Sequence, residues 1–279
     1  MTTDFNAPAS GDAAAVRAAV SRASFMHPRW FPPTAWVQHA PFAYFLVEAL
    51  KPRTYVELGS HYGYSFFAVC QAIEAYKLAT RCYAVDTWQG DEHAGYYSDM
   101  VYRFVKGHLD AHYTSFATMK RMTFAEAAKD FAPGSIDLLH IDGRHFYEDA
   151  KEDFETYADK VAKQGIVIVH DTRVEDRGFG VYRLWAEIAE RYPSFEFHHG
   201  HGLGVAAIGG EIPAALSGFF EIANDRAASA DVRAVYERLG KSLEPAAKAG
   251  RQAFKMDWRS RAKRRARSML ADAGLGKAR

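Results

Sequence analysis

Short apolar runs of strand length alternate with amphipathic stretches of helical spacing from about residue 54 to residue 208. Tyr55–Leu58 is strand-like, and Tyr64–Ala75 carries a helical repeat. Cys82–Val85 reads as a strand, followed by an irregular or helical insertion, Asp91–His112, rich in His, Gly and Tyr. Ala117–Met122 reads as a strand, Phe124–Phe131 as a short helix, Ile136–Ile141 as a buried strand and Tyr147–Val161 as a helix. Ile166–Val169 follows as a strand after a turn at Gly165, then a helix over Val181–Tyr192 and two last strands, Phe195–His198 and Leu203–Ile208.

Strands that alternate with helices predict a mostly parallel sheet covered on both faces. The last two strands are separated by too few residues for a crossover helix, so they must be antiparallel neighbours. The fold class expected is α/β: a Rossmann-like, mostly parallel seven-stranded sheet with a terminal antiparallel hairpin and helical additions at both ends. Three regions follow: an N-terminal helical and aromatic cap over 1–50, a sheet domain over 51–210, and a helical extension with a basic tail over 211–279. In the cap, residues 1–10 read as unstructured and Ala13–Ser24 as a short helix. The segment holding Trp30, Phe31, Trp36, Phe42, Tyr44 and Phe45 reads as a lid of core aromatics over the sheet edge, in preference to a substrate wall.

Composition narrows the setting. No apolar run reaches membrane-spanning length and the N-terminus lacks a signal-peptide pattern, which points to a cytoplasmic protein. Cys70 and Cys82 are the two cysteines, both in apolar contexts, and read as reduced thiols. The overall charge of +1 hides an asymmetry. Ten Lys/Arg and two Asp lie from Arg251 onward, leaving 25 basic and 32 acidic residues in the body. An acidic body argues against general nucleic-acid binding. The basic tail reads as a solvated extension, with attachment to a membrane face or a protein as the sharper alternative, and the helical extension offers a surface for a homo-oligomer.

Four strands end in acids: Glu57, Asp86, Asp142 and Asp171. Carboxylates at the C-terminal edge of a parallel sheet lie where α/β folds bind ligands. After Glu57, Gly59 and Gly63 bracket a turn into a helix, but His61 stands where a pyrophosphate-binding turn has its middle glycine, so a ligand without a bridging diphosphate fits better. Asp86, 29 positions after Glu57, is spaced to accept hydrogen bonds from ribose hydroxyls. Asp142 and Asp171 should converge at adjacent strand ends, where two carboxylates repel unless protonated or bridged by a cation; oxygen ligands suit Mg²⁺ or Mn²⁺. His145, three residues after Asp142, is a candidate base. His198, His199 and His201 alternate along a strand and its turn and read as mainly structural. In the loop after Asp86, Trp88 could stack on a ligand ring, and Asp91, Glu92, His93 and Tyr96 form a polar, aromatic substrate loop.

Taken together, ELGSHYGYS, AVDTW, IDLLHIDGRHFYEDAKEDFETY and GIVIVHDT resemble the class I S-adenosylmethionine-dependent methyltransferases, in the branch that includes catechol and sugar O-methyltransferases. The likeness spans about Thr54 to Gly209. It implies S-adenosyl-L-methionine as cofactor, with Glu57, Gly59, Ser60 and Gly63 on its methionine and ribose side, Asp86 at the ribose, and Thr87, Trp88, Thr123 and Phe124 near adenine. It implies Asp142 and Asp171 as ligands to Mg²⁺ or Mn²⁺, with His170 or Thr172 as a third, and puts His145 where catechol-type enzymes place a lysine base. The activity implied is in-line methyl transfer to a hydroxyl of a sugar, glycan or small-molecule acceptor. Two alternatives stand beside it: an NAD-dependent oxidoreductase on a similar sheet, and a non-catalytic adaptor with a vestigial pocket.

Overall fold

The computed structural model describes residues 12–256, so residues 1–11 and most of the basic tail lie outside the described residues. Seven strands form the main sheet: β1 (Thr54–Leu58), β2 (Arg81–Asp86), β5 (Ala117–Arg121), β6 (Ile136–Ile141), β7 (Val161–His170), β8 (Ser194–Phe197) and β9 (Leu203–Ala207). A small hairpin, β3 (Gly90–Asp91) and β4 (Gly95–Tyr96), stands apart. The order across the main sheet is β5-β2-β1-β6-β7-β9-β8. β5, β2, β1, β6 and β7 pair in parallel, and β9 runs antiparallel to both β7 and β8. The expected sheet, with its terminal antiparallel hairpin, is the one observed.

The helices are α1 (Asp12–Ala19), α2 (Ala40–Leu50), α3 (Tyr64–Ala75), α4 (Met100–His112), α5 (Phe124–Ala127), α6 (Tyr147–Ala158), α7 (Val181–Arg191), α8 (Ser217–Ile222) and α9 (Arg226–Ser242). Residues 244–256 continue helically. None of the described helices is long and apolar enough to cross a membrane. Three boundaries depart from expectation. The first helix stops at Ala19, because Ser21 caps a separate 3-10 turn, Arg22–Phe25. The Asp91–His112 insertion resolves into the β3–β4 hairpin and α4. α6 ends at Ala158 because β7 already starts at Val161 and passes through Gly165, where its register against β6 is irregular.

Side-chain alternation divides the core between the two faces of the sheet. Val56, Leu139, Val167 and Val169 face α5, α6 and α7. Tyr55, Leu138, Ile166 and Ile168 face the cap, α2, α3 and the C-terminal helices. Most of the cap aromatics are core: Trp36, Phe42, Tyr44 and Phe45 are buried. Phe42 meets Phe197, Phe219 and Tyr236 at ring-centroid distances of 4.6, 5.4 and 5.4 Å, which ties cap, sheet edge, α8 and α9 into one cluster. Gly240 of α9 lies against the cap backbone: a Cβ there would be 2.4 Å from the Gln38 carbonyl oxygen, so a side chain would force the two apart. Cys70 and Cys82 are both free and buried.

Candidate active site

The ends of β1, β2, β6 and β7 are fixed to one another before any side chain acts. The ladder continues past them, with the Gly59 amide donating to Val85 O (2.9 Å) and the Asp142 amide to Leu58 O (2.8 Å). Gly59 has φ +86°, and a Cβ there would lie 1.9 Å from the Asp142 carbonyl oxygen, so the turn after β1 admits glycine alone. His61 adopts φ +45° two residues later, the left-handed conformation a glycine would take at no cost. Over these strand ends opens a cavity of about 670 Å³.

The cavity carries residues expected at the cofactor: Gly59, Ser60, Asp86, Thr87, Thr123 and Phe124 line it. Ser60 is buried there with its hydroxyl oxygen unpartnered, an orphaned polar atom at a cavity wall, which fits a polar ligand. Asp86 is already engaged. The Ser60 and His61 amides donate to its Oδ2 (3.0 and 2.9 Å) and the Trp88 amide to its Oδ1 (2.6 Å). Three of roughly four lone-pair sites are therefore used in bracing the glycine turn, leaving one for a ligand. Burial raises its pKa, against the lowering effect of those amides.

Several expected site residues stand elsewhere. Glu57 is fully buried and does not reach the wall: it faces the cap side, accepting from the Tyr55 hydroxyl (2.6 Å) and from His140 Nδ1 (2.8 Å). It sits one residue inside the strand end, so alternation turns it into the core. Gly63 is the N-cap of α3 and is not part of the wall. Trp88 is 1% exposed and donates from its indole nitrogen to His61 O (3.0 Å), so it supports the turn from behind and presents no face to a ligand. In the substrate loop, Asp91 and His93 line the cavity; Glu92 instead pairs with Arg144 (3.0 Å) and Tyr96 is 75% exposed. Thr172 is buried but outside the lining.

Asp142, His170 and Asp171 converge on the same cavity, with one ligand-type atom from each lying within 4.8 Å of the others. His170 Nε2 is 3.1 Å from Gly200 O. A carbonyl only accepts, so Nε2 carries the hydrogen and Nδ1 is turned toward the carboxylates, 3.3 Å from Asp142 Oδ1 and 3.4 Å from Asp171 Oδ2. Nδ1 is buried and lacks a well-aligned hydrogen bond. Two carboxylates and an imidazole fixed through its far nitrogen make a donor set that fits a divalent ion. Asp171 holds φ +61°, a conformation an aspartate tolerates better than most residues.

His145 Nε2 lies 2.9 Å from Asp171 Oδ2 and 3.8 Å from Asp142 Oδ1, and its ring stacks on Phe179 at 4.4 Å. With protons as the compensating charge, the group is strongly polarised. Burial opposes ionisation of Asp142, but the charge of His170 beside it, and the close approach of the His145 and His170 ring nitrogens, hold its pKa well below the usual carboxylate range. Burial alone would depress His145; its contacts with the Asp142 and Asp171 carboxylates outweigh that and push it up to about 9.

Other wall residues, Trp36 apart, were not singled out from the sequence. Pro33 to Trp36 of the cap line the cavity, so the aromatic segment is core and wall at once. Arg144, Asp153, Arg177 and Phe179 also line it. Of the three late histidines, His198 approaches Glu196 (3.5 Å) and His199 stacks on His39 (5.0 Å), away from the site. His201, read as structural, is on the wall, 3.8 Å from Asp171 Oδ1. Its signal was position: it occupies the turn between the antiparallel strands, beside the end of β7.

Residues 56–172 match the family model described as a methyltransferase domain, which spans all four acidic strand ends. This chain carries a methyltransferase domain. The match agrees with the resemblance to class I, S-adenosylmethionine-dependent methyltransferases read from the sequence, and favours it over the NAD-dependent alternative. A protein of Sinorhizobium fredii (strain NBRC 101917 / NGR234), y4gI, is 49% identical over 206 residues, which is 71% of this chain and 23% of the relative. The chain thus spans about a quarter of that relative's length. Among solved structures, the O-methyltransferase of Bacillus cereus in complex with SAH is 14% identical, covering 74% of this chain and 94% of that one, with a TM-score of 0.47. The O-methyltransferase TomG of Streptomyces achromogenes, involved in tomaymycin synthesis and solved with SAM, is 16% identical, covering 71% and 90%, with a TM-score of 0.46.

Proposed function

We propose that the methyltransferase domain methylates a hydroxyl group of a sugar, glycan or other small acceptor, with a divalent ion held by Asp142, His170 and Asp171. The observation that carries this reading is the convergence of those three donors on the cavity that Gly59, Ser60 and Asp86 also line. S-adenosylmethionine supplies an electrophilic sulfonium methyl group, and the acidic wall suits its positive charge. A bound divalent ion lowers the pKa of a nearby hydroxyl. The nitrogen in the donor set favours Mn²⁺ over Mg²⁺.

The chain's own residues do the rest. The Gly59–His61 turn, braced by Asp86, positions the donor, and Trp36 and Phe179 shield the cavity from water. Asp142 and Asp171 fix the position and charge of the acceptor end. His145 Nε2 is the group placed to take up the hydroxyl proton. While it is paired with both carboxylates it is protonated at neutral pH and can only donate; it becomes a base when their charge is drawn elsewhere. We place the protein in the cytoplasm, where its two free, buried thiols remain reduced.

The test is transfer of radiolabelled methyl from S-adenosylmethionine to a panel of sugars, nucleotide sugars and phenols, with and without EDTA. The proposal expects label in a base-stable ether, lost with EDTA and restored by Mn²⁺. Label in an amine product, or turnover indifferent to EDTA, contradicts it.

A further inference from the structure

A second cavity, of about 810 Å³, opens beside the first, and the two share Thr34, Ala35 and His201 as walls. His201 stands between them, with Nδ1 3.8 Å from Asp171 Oδ1 on the side of the proposed reaction and its ring half exposed. A molecule whose hydroxyl lies at Asp171 would reach the second space by passing His201, a wall of both cavities. None of that space is built by residues 56–172, the matched methyltransferase segment: its walls come from the cap, the β8–β9 turn and the C-terminal helices.

The two cavities differ in charge. The first is lined by Asp86, Asp91, Asp142, Asp149, Asp153 and Asp171 among others, a surrounding suited to a sulfonium and a cation. The second carries Lys241, Lys248 and Arg251 against a single acid, Glu244. Lys241 is paired with Glu237 (2.5 Å), and Glu244 accepts from the Gln38 amide nitrogen (2.6 Å). Lys248 and Arg251 have no ion-pair partner among the described residues. The close seating of Gly240 on Gln38 holds this helical wall against the cap.

We propose that this second cavity is an acceptor subsite for a phosphate-bearing group, with Lys248 and Arg251 as its counter-charges. The substrate class is then a phosphorylated hydroxyl compound, such as a sugar phosphate or a sugar diphosphate ester, with its anionic group distal to the methylated hydroxyl. This rests on the methyl-transfer proposal and narrows it. Two cations beside a cavity mouth provide the bidentate and point-charge contacts that a phosphate needs. A single cationic pocket on an acidic body is not a track for a nucleic-acid backbone.

The test uses the full chain with S-adenosylhomocysteine, and inorganic phosphate as the probe, titrated at constant ionic strength against chloride. Calorimetry of S-adenosylhomocysteine comes first, on the wild type and on the Lys248→Ala/Arg251→Ala double variant. Equal affinity in both is expected and shows that fold and cofactor end are intact. Phosphate should then bind the wild type saturably in the millimolar range and the double variant about tenfold more weakly. No saturable binding up to roughly 50 mM, or binding undiminished in the double variant, overturns the subsite while leaving methyl transfer standing. Absence of S-adenosylhomocysteine binding in the wild type overturns both.

Discussion

Asp171 combines three demands in one residue: a left-handed backbone, a carboxylate 3.4 Å from His170 Nδ1, and a second contact at 2.9 Å to His145. Asn shares its tolerance of that backbone and its size, so Asp171→Asn isolates the charge. We expect this variant to weaken Mn²⁺ binding at least about tenfold, with S-adenosylhomocysteine affinity little changed, both read by calorimetry. Asp153 gives a second, pH-dependent expectation. Burial first, then the charges of Asp149 and Glu152, push its pKa up to about 7. The folded chain therefore holds a proton that the unfolded chain releases near pH 4, and this contribution to stability is present at low pH and lost as pH rises through 7. Asp153→Asn should melt like the wild type near pH 4.5. At pH 8 it should melt higher by several degrees. A wild-type-like melting point at both pH values contradicts the buried-acid account.

At the scale of elements, the turn after β1 and the contact of the cap with the C-terminal helices control the site. Gly59→Ala places a methyl group where the Asp142 carbonyl already sits. We expect cofactor affinity to fall more than about tenfold, measured by calorimetry, because the turn must move away from Asp86. Phe42→Ala removes the ring shared by Phe197, Phe219 and Tyr236 and should cost about 3–5 kcal/mol in denaturant unfolding. Elements of this kind were largely legible in advance. The apolar runs ending in acids marked β1, β2, β6 and β7, and the short link before Leu203 forced the antiparallel edge. The side-chain directions at those ends were less legible. Glu57 and Asp86 both close a strand in the sequence, yet Asp86 falls at the turn and Glu57 one residue inside it, where the pleat faces the cap. Trp88 carries φ +52°, which turns a ring expected at the ligand into the support behind the turn. Thr34 and Ala35 gave no chemical signal at all, because a wall made by proximity across the fold leaves no spacing in the chain.

For the whole molecule, the sheet supplies the cofactor turn and the donor cluster, while the added segments enclose them and form the second, cationic cavity. On the proposed reading, acceptor choice resides in the additions and methyl transfer in the domain they surround. The account rests most heavily on one divalent ion joining Asp142, His170 and Asp171 beside the cofactor. Titration of Mn²⁺ into the S-adenosylhomocysteine-loaded chain, followed by loss of the free-ion electron paramagnetic resonance signal, measures this directly. One ion bound per chain in the wild type, and none at the same concentrations in Asp171→Asn, is the predicted result. A free-ion signal that stays undiminished in the wild type, or falls equally in the variant, would contradict it.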